Sequence, residues 1–158
     1  MSRKVEVGEP APPFELPGVY GGERKTYALE HFRGAPLVLV FYPKDDTLVC
    51  TKQLNSYSTN LTEFAELGAQ VLAISPQDLD AHEGFAAGQG GFAFPLLADS
   101  DKKMFGDYGA LGPLDFPRRS VFILDAESIV HYSHRALTGA TFRPVSELVA
   151  SLEKLPEP

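Results

Sequence analysis

The sequence contains a single cysteine, Cys50, among its 158 residues. One cysteine cannot form a disulfide within the chain, so any thiol chemistry at Cys50 must take its second sulfur from another molecule. Free cysteines are often small buried hydrophobic residues, so composition alone does not identify a reactive site. The residues around Cys50 must decide whether it is a structural thiol or a nucleophile.

Basic residues are also scarce, with 14 Lys and Arg against 21 Asp and Glu and a net charge of −7. Nucleic acids and anionic membranes need a basic surface, so the sequence predicts neither as a partner. Residues 1–7 lack the apolar core of a signal peptide, and no apolar run approaches membrane-spanning length. We therefore expect a cytoplasmic protein.

Two strong patterns flank the cysteine. Residues 37–42 are continuously apolar, which indicates a strand buried on both faces. Apolar residues then recur at three- and four-residue steps from Leu54, which predicts one helix ending near Gly68. Cys50 falls in or near the first turn, where unpaired N–H groups and the helix dipole stabilise a thiolate. The candidate N-caps are Asp45, Asp46 and Thr47.

The remaining elements complete one fold. Residues 8–17 and the Gly21-Gly22 turn predict loops or a short edge ribbon. Further predicted elements are strands at 71–74, 121–124 and 129–134, and helices at 78–87, 99–108 (capped by Asp99 or Ser100) and 143–155. A parallel βαβ half followed by a hairpin and a final helix is the plan of an α/β, thioredoxin-like fold. We predict one domain over residues 1–158, with a central mixed β-sheet flanked by helices.

The loop before the helix resembles a known signature. Pro43-x-x-x-Thr47-x-x-Cys50 is similar to the signature loop of the peroxiredoxins (AhpC/TSA superfamily). The longer stretch 41–52 resembles the bacterioferritin-comigratory, or Q-type, branch. Residues 7–17, 94–99 and 119–125 resemble further family segments in the same order, so the likeness covers most of the chain.

The resemblance implies a peroxidase that uses no metal, haem or flavin. Cys50 would attack a peroxide O–O bond and become a sulfenic acid. Thr47 would face the sulfur and hydrogen-bond the peroxide, and Pro43 would shield the site. Simpler interpretations remain open for the last two: Thr47 can cap the helix, and Pro43 can end the strand because it lacks an N–H.

Two adjacent arginines compete for the remaining role. Arg118 and Arg119 precede a predicted strand, where a charged pair is often solvated. Arg119 lies six residues before Asp125, as the active-site arginine does in the family pattern Arg-x-x-Phe-x-x-Asp. The resemblance therefore favours Arg119, whose guanidinium would favour the thiolate and bind the peroxide oxygens.

Several positions depart from the family pattern. Asn55 occupies the place where many relatives have a resolving cysteine, and Gly84 and Ala87 lie where others have it. Gln53 replaces a frequent glutamate, which puts the turnover rate in question, and Leu48-Val49 replaces a frequent Pro-Gly. We therefore predict a one-cysteine mechanism in which an external thiol or a thioredoxin-like protein reduces Cys50. The family resemblance leaves a monomer and a homodimer open.

The sequence bears on two other functions. The same departures fit a catalytically weakened redox sensor or interaction module that forms mixed disulfides through Cys50. A disulfide oxidoreductase is disfavoured because no Cys-x-x-Cys is present. His31, His82, His131 and His134 lack companions at metal-ligand spacing, so we interpret them as structural or surface residues.

Overall fold

The structure is a computed structural model that describes residues 5–136 and 141–156. Its strands are β1 (Glu15–Tyr20), β2 (Glu23–Ala28), β3 (Leu37–Phe41), β4 (Gln70–Ser75), β5 (Leu96–Ala98), β6 (Ser120–Leu124) and β7 (Val130–Arg135). Its helices are α1 (Leu48–Thr59), α2 (Leu61–Ala65), α3 (Leu79–Gly88), α4 (Lys103–Asp107) and α5 (Val145–Glu153). In these ranges the strands form one sheet in the order β2-β1-β5-β4-β3-β6-β7.

Strand β3 lies inside the sheet and is buried throughout. It pairs in parallel with β4 and antiparallel with β6, so the sheet is mixed. Alternate residues face opposite sides: Val38 and Val40 pack in the same cluster as Cys50, while Leu39 and Phe41 pack in a second cluster on the other face. The predicted strand buried on both faces is confirmed, and with it the α/β, thioredoxin-like plan.

The ends of the sheet are hairpins. Strands β1 and β2 pair antiparallel around Gly21 and Gly22, which have φ angles of +60° and +82° that favour glycine. This confirms the edge ribbon. At the other end, β6 and β7 form the predicted antiparallel hairpin.

The single helix predicted as far as Gly68 is wrong in one respect, because the structure divides it into α1 and α2. The break is at Asn60, whose side-chain amide donates to the Ser56 carbonyl at 2.8 Å. Its backbone N–H donates to the same oxygen at 3.1 Å. This polar side chain therefore ends α1 locally while the apolar pattern continues into α2.

Two other helices also differ in their bounds from the prediction. Helix α4 begins at Lys103, four residues later than predicted, although Asp99 still accepts hydrogen bonds from the N–H groups of Met104 and Phe105 at 3.2 and 2.8 Å. Helix α5 begins after Pro144. Helix α3 is close to its prediction, with Asp78 as the side-chain cap at 2.8 Å from the Ala81 nitrogen.

Within residues 5–136 and 141–156, no helix combines the length and the apolar character needed to cross a membrane. Residues 1–4, part of the N-terminal segment without a signal-peptide core, lie outside the described residues, as do residues 157 and 158 at the end of the predicted domain.

Candidate active site

Cys50 lies in the first turn of α1, as its third residue. The helix starts after Thr47, whose backbone is extended, and the first helical hydrogen bond joins the Thr51 N–H to the Thr47 carbonyl at 2.8 Å. Cys50 is a free thiol and only 1% exposed. Its sulfur is therefore shielded from bulk water at the positive end of a helix dipole.

Arg119 is the cation at the sulfur. Its Nη2 atom donates to Cys50 Sγ at 3.2 Å, and its Nη1 atom donates to Gln53 Oε1 at 2.6 Å. The whole side chain is buried. A guanidinium at this distance stabilises negative charge on the sulfur, because burial weakens the screening by water.

The sheet explains why Arg119 reaches Cys50. Ser120 pairs with Phe41, the last residue of β3, so Arg119 lies beside the start of the loop that leads to α1. Arg118 has a different environment, and its Nε donates to the Ala136 carbonyl at 3.0 Å. Of the two neighbouring arginines, Arg119 is thus the one whose guanidinium contacts the sulfur.

Gln53 extends the site into the core. Its Nε2 donates to Tyr57 Oη at 3.4 Å, and the Tyr57 hydroxyl donates to the Arg143 carbonyl at 2.5 Å. Burial raises the pKa of Tyr57 to about 12, so this hydroxyl stays neutral and remains a donor. A hydrogen-bond chain therefore joins Arg119 to the backbone before α5. Because Gln53 is uncharged, it orients Arg119 without neutralising it.

Pro43 and Thr47 lie in the loop between β3 and α1, and both are partly exposed. Of the three candidate N-caps, Thr47 is the one that occupies the N-cap position, but its side chain makes no capping hydrogen bond. Instead its hydroxyl donates to the Lys44 carbonyl at 3.1 Å. The oxygen lone pairs of this hydroxyl can still accept a hydrogen bond from a bound molecule.

Sequence reasoning missed a buried polar cluster next to the loop. Asp45, considered only as a candidate helix cap, accepts a hydrogen bond from the Tyr42 hydroxyl at 2.6 Å and is bonded to His82 at 2.6 Å. Burial, with the nearby charge of Asp45, raises the pKa of Tyr42 well above its usual range, so Tyr42 is a neutral donor. His82, predicted to be a structural or surface residue, is completely buried, and because 37 residues separate it from Asp45 no local spacing could have revealed the pair.

The described residues contain no group of three or more His, Cys, Asp or Glu side chains that could hold a metal ion. The chemistry of the site as it stands comes from a thiol, a guanidinium and hydroxyl groups. These are the groups needed for nucleophilic attack by sulfur on an electrophilic oxygen.

Comparison with known proteins agrees with this chemistry. The AhpC/TSA family model matches residues 7–133. The chain is 35% identical over 154 residues to the chloroplastic peroxiredoxin Q of Populus jackii, covering 96% of this chain and 68% of that protein. It is 31% identical over 156 residues to the selenocysteine-containing peroxiredoxin PrxU of Peptoclostridium acidaminophilum, covering 94% of this chain and 76% of that protein.

A solved structure agrees with the fold. The reduced 2-Cys peroxiredoxin of Plasmodium vivax superposes with a TM-score of 0.87 at 26% identity, covering 93% of this chain and 80% of that chain. The family match over residues 7–133 includes both Cys50 and Arg119. The chain therefore belongs to the AhpC/TSA family, the family of the peroxiredoxins.

Proposed function

We propose that this protein is a thiol-dependent peroxidase that reduces hydrogen peroxide and organic hydroperoxides through Cys50. The observation that carries the proposal is the 3.2 Å contact between Arg119 Nη2 and Cys50 Sγ at the start of α1. A buried thiolate beside a fixed cation and a helix N-terminus is a stabilised nucleophile.

In the first step the Cys50 thiolate attacks the distal oxygen of the peroxide. An S–O bond forms, the O–O bond breaks, and its electron pair leaves on the second oxygen, which takes a proton to become water or an alcohol. Sulfur is oxidised to a sulfenic acid and the peroxide is reduced. Arg119 is placed to stabilise the charge as it moves from sulfur to oxygen.

Thr47 and Pro43 complete this mechanism from the loop. The Thr47 hydroxyl donates within the loop and can accept the hydrogen bond of the peroxide O–H, which orients the distal oxygen toward sulfur. The Pro43 ring limits the access of water. Neither residue adds charge, so the negative charge of the reaction stays near Arg119.

In the second step an external thiol attacks the sulfenic sulfur, which gives a mixed disulfide and water. A second thiol then releases reduced Cys50 and carries away the disulfide. The single cysteine of the chain is consistent with this one-cysteine mechanism. Because Cys50 is 1% exposed, the loop or the first turn of α1 must open before a bulky reductant reaches the sulfur.

A second function is a redox sensor that stops at the mixed disulfide with a partner protein. The absence of a second cysteine favours it, because no thiol within the chain can resolve the Cys50 sulfenic acid. The side chain of Asn55, at the position of the absent resolving cysteine, also donates to Gln89 Oε1 at 2.9 Å and so helps to fix α1. A sensor would react with peroxide once, and small thiols would not restore it.

Stopped-flow reaction of the reduced protein with hydrogen peroxide separates these functions. Dimedone should label Cys50 as a sulfenic acid, and Cys50→Ser should abolish both the labelling and peroxide consumption. Continued consumption with a small thiol or a thioredoxin-like donor supports the peroxidase. A single turnover that no donor reverses supports the sensor, and the absence of any peroxide reaction rejects both.

We also propose that the protein forms a homodimer through the surface around the site. Leu48, Leu114 and Phe116 are exposed large apolar side chains. Leu48 precedes Cys50 by two residues, and the other two lie within five residues of Arg119. A second copy covering these side chains would remove apolar surface from water close to the reactive sulfur.

A further inference from the structure

The side chain of Asp45 holds the active-site loop from the inside. Asp45 lies midway between Pro43 and Thr47, and its carboxylate points into the protein, where it is nearly fully buried. Oδ1 accepts from the Tyr42 hydroxyl at 2.6 Å, and Oδ2 lies 2.6 Å from His82 Nδ1. A buried carboxylate is stable only with such partners.

His82 connects this carboxylate to the sheet. The residue belongs to α3 and is completely buried. Its Nε2 lies 2.9 Å from the Leu97 carbonyl oxygen in β5. A carbonyl oxygen can only accept, so Nε2 carries a hydrogen, and one further proton is shared between Nδ1 and Asp45. His82 therefore bridges β5 and the loop with both ring nitrogens.

The loop needs this support because its backbone is irregular. Asp46 has a φ of +59°, a left-handed conformation that is uncommon for residues other than glycine. The Thr47 hydroxyl reaches back to the Lys44 carbonyl across this bend. Asp45 lies between Lys44 and Asp46, and its side chain is buried. Strained backbone such as that of Asp46 persists only where surrounding contacts fix it.

Tyr42 connects this hydrogen-bond network to the core cluster that contains Cys50. Its ring packs in the core cluster that contains Cys50, and its centroid lies 6.3 Å from that of His82. The network therefore contacts the loop and packs in the same core cluster as the nucleophile, while Arg119, the residue before β6, donates to the sulfur.

We propose that His82 is a positioning residue for the peroxidase reaction, acting through Asp45 to hold Pro43 and Thr47 over Cys50. This inference rests on the proposed peroxidase function. It assigns His82 no contact with peroxide and no change in the charge at sulfur. Loss of the His82–Asp45 bond should misplace the groups that orient the peroxide while leaving the Arg119–Cys50 contact intact.

Two substitutions separate the two hydrogen bonds of the ring. His82→Gln places an amide N–H near the position of Nε2, so it can keep the Leu97 bond but lacks a group at Nδ1. His82→Asn places an amide N–H near the position of Nδ1, so it can keep the Asp45 bond and loses the Leu97 bond. Both substitutions replace the imidazole ring with a smaller amide side chain, so the two variants lose similar core packing.

The readouts are the rate of Cys50 sulfenate formation with hydrogen peroxide and the rate of Cys50 alkylation by iodoacetamide. Iodoacetamide needs the thiolate but no oriented peroxide. For His82→Gln we expect the peroxide rate to fall about 10- to 100-fold, the scale of losing near-attack geometry. Alkylation should not slow, because the thiolate stays beside Arg119 and a displaced loop shields it less. His82→Asn should recover most of the peroxide rate.

A pair of substitutions at Asp45 tests the inference without changing His82. Asp45→Asn can still accept from Tyr42 and donate to His82 Nδ1, whereas Asp45→Ala can do neither. We expect Asp45→Ala to lose the peroxide rate as His82→Gln does, and the double variant to lose no more than either single variant. Asp45→Asn should retain most of the rate.

Three outcomes of the peroxide kinetics would overturn the inference: an unchanged peroxide rate in His82→Gln, equal loss in His82→Gln and His82→Asn, or additive losses in the double variant. Equal changes in alkylation and peroxide reaction would also reject it, since they would report general damage around Cys50. If the parent protein itself does not react with peroxide, the proposed function fails first, and this inference fails with it.

Discussion

Phe41 and Ser120 are paired residues on β3 and β6, so Arg119 lies beside the loop that leads to Cys50 in α1. The contact between the guanidinium and the sulfur therefore depends on two adjacent strands, not on a flexible segment. Groups held on rigid elements keep their geometry during reaction.

From this relationship we predict that Arg119→Ala slows sulfenate formation about 100- to 1000-fold, the usual scale for loss of one donor to developing charge. Arg119→Lys should give an intermediate rate, because one ammonium cannot copy the fork that reaches both Cys50 and Gln53. Stopped-flow measurement with hydrogen peroxide gives the rates. Arg118→Ala is the matched control and should react as the parent does; an Arg119→Ala protein at the parental rate would remove Arg119 from the mechanism.

The role of Gln53, the buried hydrogen-bond acceptor for Arg119, can also be tested. In Gln53→Leu the guanidinium loses the oxygen at 2.6 Å, so we expect the free energy of unfolding to fall by about 1–3 kcal/mol. Sulfenate formation should slow as well, because Arg119 is less well oriented. Urea denaturation measures the first effect and stopped-flow kinetics the second.

Gln53→Glu is the control for this change: it keeps an oxygen acceptor for Arg119, while it loses the donor to Tyr57 and adds a negative charge beside the guanidinium. Its kinetic loss should be smaller than that of Gln53→Leu. Equal losses in both variants would mean that the oxygen of Gln53 does not orient Arg119.

Much of the fold was predictable because its signals are local. The apolar run of β3, the apolar face of α1 and the turn at Gly21 and Gly22 each specify an element within a few residues. The break at Asn60 was not predictable, because the apolar period continues across it and only a side-chain hydrogen bond to Ser56 ends the helix. The late start of α4 has a different cause: Lys102 has a left-handed backbone with a φ of +62°, which interrupts the helical path before Lys103.

The residues of the site also divide into those that local sequence could predict and those that depend on distant contacts. Cys50 and Thr47 lie on one short stretch whose spacing could be recognised, and the structure places Cys50 where that spacing puts it. Arg119 could be chosen over Arg118 only by family register, because its contact with Cys50 depends on the pairing of β3 with β6. The bond between Asp45 and His82 joins a loop to a distant helix, and no pattern in the sequence marks such a contact.

Glu147, in the first turn of α5, should make the free energy of unfolding depend on pH in the acidic range. The pKa of Glu147 is lowered from the usual 4.5 to about 2. The main cause is the hydrogen bond from Arg143, and the hydrogen bond from Tyr132 adds to it. A lowered folded-state pKa stabilises the fold above pH 4.5, and this contribution is lost as the pH falls from about 4.5 toward 2. We expect the parent to lose more unfolding free energy over this window than Glu147→Gln does. Parallel pH profiles in urea denaturation would contradict the assignment.

The proposed homodimer predicts a concentration-dependent sedimentation coefficient for the parent. Replacing both Leu48 and Phe116 with lysine should give a monomer at every concentration, because buried, unpaired charges oppose association. Tyr20→Lys is the matched control, since Tyr20 is another exposed apolar residue, on β1, and should leave the dimer intact. A monomeric parent, or dissociation by Tyr20→Lys alone, would reject this surface as the interface.

Finally, Asn55→Cys tests whether α1 can open after oxidation. Residues 50 and 55 lie on different faces of the helix and more than one turn apart, so their sulfurs cannot meet while α1 is intact. The substitution also removes the Asn55–Gln89 bond, one of the contacts that fix α1. We expect peroxide to give a disulfide between Cys50 and the new cysteine, formed more slowly than the sulfenic acid and with loss of helical circular dichroism.

Asn55→Ser is the control, because it also removes the Gln89 contact but supplies no second sulfur. It should remain at the sulfenic acid, or proceed to the sulfinic acid when peroxide is in excess. Intact mass spectrometry distinguishes the products: a disulfide lowers the mass by two hydrogens, whereas each oxidation adds an oxygen. If Asn55→Cys gains oxygen as the control does, α1 stays folded after oxidation, and the external reductant must reach Cys50 through the loop.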